Sequence, residues 1–136
     1  MTEILNLNNV SLSLPSRAGL VEILKSVSFT ARAGEAIGII GPSGSGKTSL
    51  LMVASFLDAA SAGKIEACGF SFDGQNEQAL ARFRRDNIGI IFQSFHLIAT
   101  MTALENVSVP LESRGRNDAA EKATEALQKV GLGHRL

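Results

Sequence analysis

The sequence predicts an α/β fold, with strands that bury one face at its N-terminus and a parallel core sheet. Three observations predict it. Apolar and polar side chains alternate in ILNLNNVSLSL (residues 4–14) and VSFTAR (27–32), the period of strands with one buried face. Two short runs, AIGII (36–40) and IGIIF (88–92), are almost wholly apolar, as in parallel strands covered on both faces. The first of these runs straight into GPSGSGKTSLL (41–51), a glycine-rich loop that opens a helical pattern.

Taken in chain order, the first strand should end at Pro15, with PSRAG (15–19) as a loop, and the second should lead to a turn at Gly34. Residues 47–57, apolar almost all round, predict a helix buried inside the domain. KIEAC (64–68) reads as a short strand, FDGQN (72–76) as a turn and EQALARFRRD (77–86) as a helix. Thr102 followed by Glu105 is a capping-box pattern and predicts a helix start, with a disturbance at Pro110. Asp118 and Glu121 repeat the pattern before a helix that should stop at Gly131. No internal repeat or low-complexity segment interrupts the chain.

Composition bounds the function. Of the 136 residues, 45% are hydrophobic, enough for one ordinary domain with a core. Thirteen basic residues balance thirteen acidic ones, so no global field favours nucleic acid, and none is expected as a partner. Cys68 is the single cysteine, which excludes an internal disulfide framework. Its sequence distance from His96 and His134 argues against a cysteine-based metal site, and a buried or half-buried small side chain is expected. The N-terminus lacks the features of a secretory signal, and residues 88–104 are too interrupted by polar side chains for a membrane span. Arg82, Arg84 and Arg85 read as a solvated helix face, and His134 as a solvated tail residue.

The loop carries the chemistry. Gly41, Gly46, Lys47 and Thr48 satisfy G-x-x-x-x-G-K-[ST], with a strand pattern before and a helix pattern after. Glycines let successive amides turn inward on phosphate oxygens, and the helix N-terminus adds partial positive charge. The cradle is read as Gly41, Pro42, Ser43, Gly44, Ser45, Gly46, Lys47, Thr48 and Ser49. Lys47 is placed for the outer phosphates and the Thr48 hydroxyl for a magnesium ion. The plain alternative is a glycine-rich turn with no ligand. By itself the loop leaves ATPases, GTPases and small-molecule kinases open; no N-K-x-D element reads guanine, and no acceptor site for a kinase is evident.

Longer stretches resemble a family. VEILKSVSFTARAGEAIGIIGPSGSGKTSLL, LARFRRDNIGIIFQSFHLIATMTALENVSVPL and EALQKVGLGHRL resemble the nucleotide-binding subunit of ATP-binding-cassette (ABC) transporters, along the whole chain. The LENV stretch is most similar to the branch serving lipoprotein release and macrolide export. The resemblance implies a P-loop NTPase core with N-terminal antiparallel strands over about residues 1–93, and the Q-loop and start of the helical subdomain over about 94–136. It implies Mg-ATP as ligand, Lys47 and Gln93 as catalytic residues, and Thr48 and Gln93 as metal contacts. It further implies a membrane-spanning partner, a second nucleotide-binding subunit, and a place at the inner face of the cytoplasmic membrane.

Departures from the family pattern shape the expectation. Leu14 stands where relatives stack an aromatic ring on adenine, so the contact to the base would be apolar without stacking. Phe56 stands where relatives commonly have glycine, which raises an expectation of overpacking, and Ala60 and Ala99 stand where proline is common. The family's signature, its Walker B strand ending in carboxylates and its switch histidine follow a stretch like GLGHRL, so the C-terminal part of the fold is expected to be missing. The chain is then the ATP-binding part of a transporter ATPase. Alternatively it is a short nucleotide-binding module or regulator that holds nucleotide and hydrolyses it poorly. An apolar edge of the core sheet would be left uncovered.

Overall fold

The computed structural model describes residues 2–136. They form two compact units, residues 2–84 and 85–136. The first is built on two 14-residue strands, β1 (Glu3–Ser16) and β2 (Gly19–Arg32), joined by a two-residue turn. β1 runs through Pro15 rather than stopping there, because Pro15 lies at the end of the hairpin, opposite Leu20. After the helix α1 (Lys47–Ala54) come β3 (Ala62–Ala67) and β4 (Phe70–Ser71), giving an antiparallel sheet in the order β2-β1-β3-β4. The N-terminal antiparallel strands and the turn at residues 72–76 are thus as the sequence predicts. Leu7, Val10 and Leu12 of β1, Leu24 of β2 and Ile65 of β3 are buried, as the period-2 pattern requires.

The β1–β2 ladder shifts register at four places, and two of these bulges carry a left-handed extra residue. Asn8 and Asn9 oppose Ser28 alone between Leu7↔Phe29 and Val10↔Val27. Lys25 and Ser26 oppose Ser11 alone between Val10↔Val27 and Leu12↔Leu24. The extra residues Asn9 (φ 50) and Ser26 (φ 48) are left-handed, and their amides donate to Ser28 Oγ and Ser11 Oγ, each at 2.9 Å. Gly63 packs on the first bulge so closely that a β-carbon there would overlap the Asn9 carbonyl and the Val10 backbone.

The expected parallel core is not formed. Residues 36–40 and 88–92 belong to no strand, and Ile37, Ile40, Ile91 and Phe92 are exposed. An apolar run becomes a strand only when neighbours take up its amides and carbonyls, and neither run has a ladder partner among the described residues. Nor is α1 buried all round: it ends at Ala54 rather than Leu57, and within it only Val53 is buried, since the sheet covers one side. Cys68 is exposed, not buried. With Gly69 it forms the tight β3–β4 turn, both residues at positive φ, which lifts its side chain off the sheet.

Phe56 corrects the expectation of overpacking. It follows α1 in the left-handed region at φ 65 and is only 1% exposed. Its ring sits 5.3 Å from those of Phe72 and Phe83 and 6.0 Å from Phe70, while Phe70 stacks on Phe83 at 4.5 Å. Phe83 belongs to α2 (Glu77–Asn87), whose Leu80 is also buried. Arg84, read from sequence as part of a solvated face, has a side chain only 18% exposed; it donates to the Phe56 carbonyl and pairs with Glu77, both at 2.6 Å. The backbone cost of a left-handed phenylalanine, about 1–3 kcal/mol, is offset by this packing.

In the second unit, α3 (Ala103–Ser113) packs on α4 (Ala119–Lys129) through Ala119, Ala123 and Leu127, spaced to share one helix face. Thr102 and Glu105 form the predicted capping box. Pro110 does not disturb α3, which continues to Ser113; the single missing amide donor is tolerated in a helix held by its cap and by α4. The second capping box does not form, because the Asp118 carboxylate accepts two bonds from the Arg116 guanidinium, at 2.9 and 2.8 Å. α4 closes as expected at Gly131 (φ 79), whose amide reaches the Gln128 carbonyl while that of Leu132 reaches Leu127. A 3-10 turn, Gly133–Arg135, follows.

Two outcomes are expected. Replacing Phe56 by Ala should lower unfolding free energy by about 3–5 kcal/mol. Phe56→Gly should cost no more despite losing another carbon, since glycine relieves the positive φ; urea titration of the two variants compares them. The Arg116 hydrogen bond holds the Asp118 carboxyl below the usual carboxylate range. Its contribution is therefore present above that range and lost as pH falls through the depressed value. Arg116→Ala should move the Asp118 titration, followed by NMR, upward.

Candidate functional site: a phosphate-binding loop

The site is assembled from the loop upward. The Ser45 amide donates to the Pro42 carbonyl at 3.2 Å, closing a turn, and Gly44 (φ 81) and Gly46 (φ 96) take conformations that suit glycine. Gly46 is the N-cap of α1, and the first intrahelical bond runs from the Leu50 amide to its carbonyl at 2.9 Å. The amides of the first helical turn have no partner within the helix and carry its positive end. A β-carbon at Gly46 would lie 3.1 Å from the Ile23 carbonyl oxygen and 3.2 Å from Ile23 Cγ2, so a side chain there would push the loop from β2.

Lys47 turns back over the loop. Its ammonium donates to the carbonyls of Gly41 (2.6 Å) and Pro42 (2.8 Å) and to Ser45 Oγ (3.4 Å). The loop's own acceptors thus hold a cation at its mouth. Residues 41–45 and Thr48 are exposed, with Gly46, Lys47 and Ser49 half-buried. An open groove of about 500 Å³ adjoins the loop; Ile39, Ile40 and Leu50 give it an apolar wall, and Lys25 and Lys47 line it too.

The structure therefore gathers residues 41–49 into one loop and helix start, all within the first unit. Gln93 belongs to the second unit, on an exposed bend rather than at the end of a buried strand. Among the described residues, no group of three or more His, Cys, Asp or Glu side chains comes together to hold a metal ion. Leu14 is half-exposed and pairs across the ladder with Val21.

Sequence reasoning missed one organising residue of the second unit. The Asn106 side chain accepts from the Ile98 amide (2.8 Å) and donates to the carbonyls of Ile98 (3.2 Å), Met101 (3.2 Å) and Thr102 (2.9 Å). It ties residues 98–102 to the start of α3. Its position four residues after the helix cap was the available signal.

The sequence model of the family described as ABC transporter matches residues 24–136. This chain belongs to the ABC transporter family. Among its ABC relatives it is 38% identical to macrolide export ATP-binding/permease protein MacB 1 of Yersinia pestis bv. Antiqua, over all of this chain and 21% of that protein. It has the same identity and coverage with MacB of Salmonella typhimurium. The likeness agrees with the exporter branch read from sequence, and the chain spans about a fifth of the length of these curated relatives. A solved dimeric post-hydrolysis state of the ATP-binding cassette MJ0796, bound to ADP and Pi, superposes with a TM-score of 0.86 at 33% identity. The match covers 92% of this chain and 56% of that one. A second dimeric MJ0796 structure, described as a bacterial ABC transporter cassette, matches equally well. The fold is thus the N-terminal part of an ABC ATPase cassette. Among the described residues no helix is long and apolar enough to cross a membrane.

The loop fits a polyphosphate: a cation is held at its mouth, a helix N-terminus lies behind it, and Gly41 and Gly46 sit where side chains would intrude. Gly46→Ala should destabilise the chain by about 1–2 kcal/mol through the left-handed backbone alone. It should also weaken triphosphate binding by displacing the loop. Thermal unfolding with and without tripolyphosphate separates the two effects.

Proposed function

We propose that this chain is the ATP-binding part of an ABC exporter, holding Mg-ATP in residues 41–49 to power transport across the cytoplasmic membrane. The observation that carries the reading is the Lys47 ammonium, fixed by the Gly41 and Pro42 carbonyls over the N-terminus of α1. Amides of the loop and first helical turn would take the phosphate oxygens, and Lys47 would neutralise their charge at the mouth. The exposed Thr48 hydroxyl is suited to ligate magnesium, and Gln93 is kept as a catalytic and metal-contacting amide on the family resemblance alone. Mg-ATP, when bound, supplies the phosphoanhydride whose cleavage would drive transport. Leu14, with Val21 opposite, would give the base an apolar contact in place of stacking.

In this reading, residues 1–93 form the ATP-binding core and 94–136 begin the helical subdomain. The partners are a second nucleotide-binding subunit and a membrane-spanning part, and the site of action is the inner membrane face. The permease in the names of the MacB relatives and the dimeric MJ0796 cassette support it.

Lys47→Ala should weaken Mg-ATP binding about tenfold or more, the worth of losing charge-assisted bonds to phosphate. Isothermal titration calorimetry measures it, and equal affinities for the two chains would remove the assignment. Phosphate release in the same samples tells turnover from binding alone.

A further inference from the structure

The groove beside the loop is lined by a second cation that the proposed function does not use. Lys25, on β2, lines the same groove of about 500 Å³ as Gly41, Pro42, Ser45, Gly46 and Lys47. It stands at the second bulge, where Lys25 and Ser26 together oppose Ser11. Bulges bend a strand and re-aim a side chain, and they recur beside functional sites. This one places a serine at φ 48 with its amide held by Ser11 Oγ, a geometry maintained against its backbone cost.

The bulge also restores the apolar inward parity of β2. Leu24 is buried and Val27 half-buried, so without the extra residue the inward parity after Leu24 would fall on Ser26 and Ser28. With it, Val27, Phe29 and Ala31 return to the inner face, while Lys25 stays exposed on the groove. None of the ion pairs found among the described residues involves Lys25 or Lys47. Lys47 is instead satisfied by neutral loop oxygens. Two lysines therefore line one groove with an apolar wall, where a polyanion would be attracted by both.

We propose that Lys25 is a second cationic contact for the phosphate chain of the nucleotide, entering from β2 while Lys47 enters from the loop. The inference rests on the nucleotide-binding reading of residues 41–49. Its consequence is selectivity by phosphate number: the more charge on the ligand, the more Lys25 contributes. The reach of a lysine side chain from the groove wall suits this role, since the ammonium needs no fixed orientation.

The test is calorimetric titration of the full chain, wild type and Lys25→Gln, Lys25→Glu and Lys25→Arg, with Mg-ATP, Mg-ADP, AMP and tripolyphosphate, alongside Lys47→Ala. Lys25→Gln should weaken Mg-ATP and tripolyphosphate roughly two- to fivefold, as expected for one solvent-screened charge contact. AMP should be barely affected, Lys25→Glu should be worse than Lys25→Gln, and Lys25→Arg should bind like wild type, with melting temperatures unchanged. A merely structural lysine would not produce that charge-graded order. Unchanged affinities in Lys25→Gln and Lys25→Glu, with binding lost in Lys47→Ala, would overturn this inference and leave the proposed function standing. No binding of any phosphate ligand by the wild type would overturn both.

Discussion

The first unit depends on β1. It is hydrogen-bonded along most of its length to β2 and along its first half to β3, and its Leu7, Val10 and Leu12 are the centre of the apolar core. Both bulges and the close approach of Gly63 are set by what β1 offers at Asn8, Asn9 and Ser11. β2, held in place by that ladder, is the surface on which the phosphate loop rests through the contact of Gly46 with Ile23. The geometry of the loop is thus inherited from a strand that never touches it in sequence.

How much was legible in the sequence follows from the range of each interaction. The Thr102–Glu105 cap, the Gly131 stop and the turn at residues 72–76 involve partners within a few residues, and the chain itself spells them out. Residues 36–40 and 88–92 have the composition of buried strands but no ladder neighbour, and no local pattern reveals whether a neighbour exists. Asp118 failed as a cap because Arg116, two residues before it, offers its carboxylate a stronger charged partner. Pro110 was misread because a helix already held at one end and along one face tolerates a missing donor.

The candidate site divides in the same way. Residues 41–49 stood out as a candidate because the expected cradle needs glycines, lysine and a hydroxyl at fixed spacing on one continuous segment. Lys25 did not, since its place beside the groove depends on how β2 meets the loop in the folded chain. Asn106 organises residues 98–102 through bonds that a helix-start pattern does not announce. Phe56 was noticed as an oddity, but its partners Phe70, Phe72 and Phe83 are scattered along the chain.

The four-ring cluster constrains the order in which this chain could have changed over evolutionary time. A phenylalanine at position 56 is acceptable only once the surrounding rings and the Arg84 bond to its carbonyl enclose it. Conversely, once it is in place, the other rings pack around it, and glycine there would open a void between them. Position 56 and its neighbours therefore form a ratchet: each step is tolerable in one sequence background and harmful in another. Lineages carrying the ring should carry its companions with it.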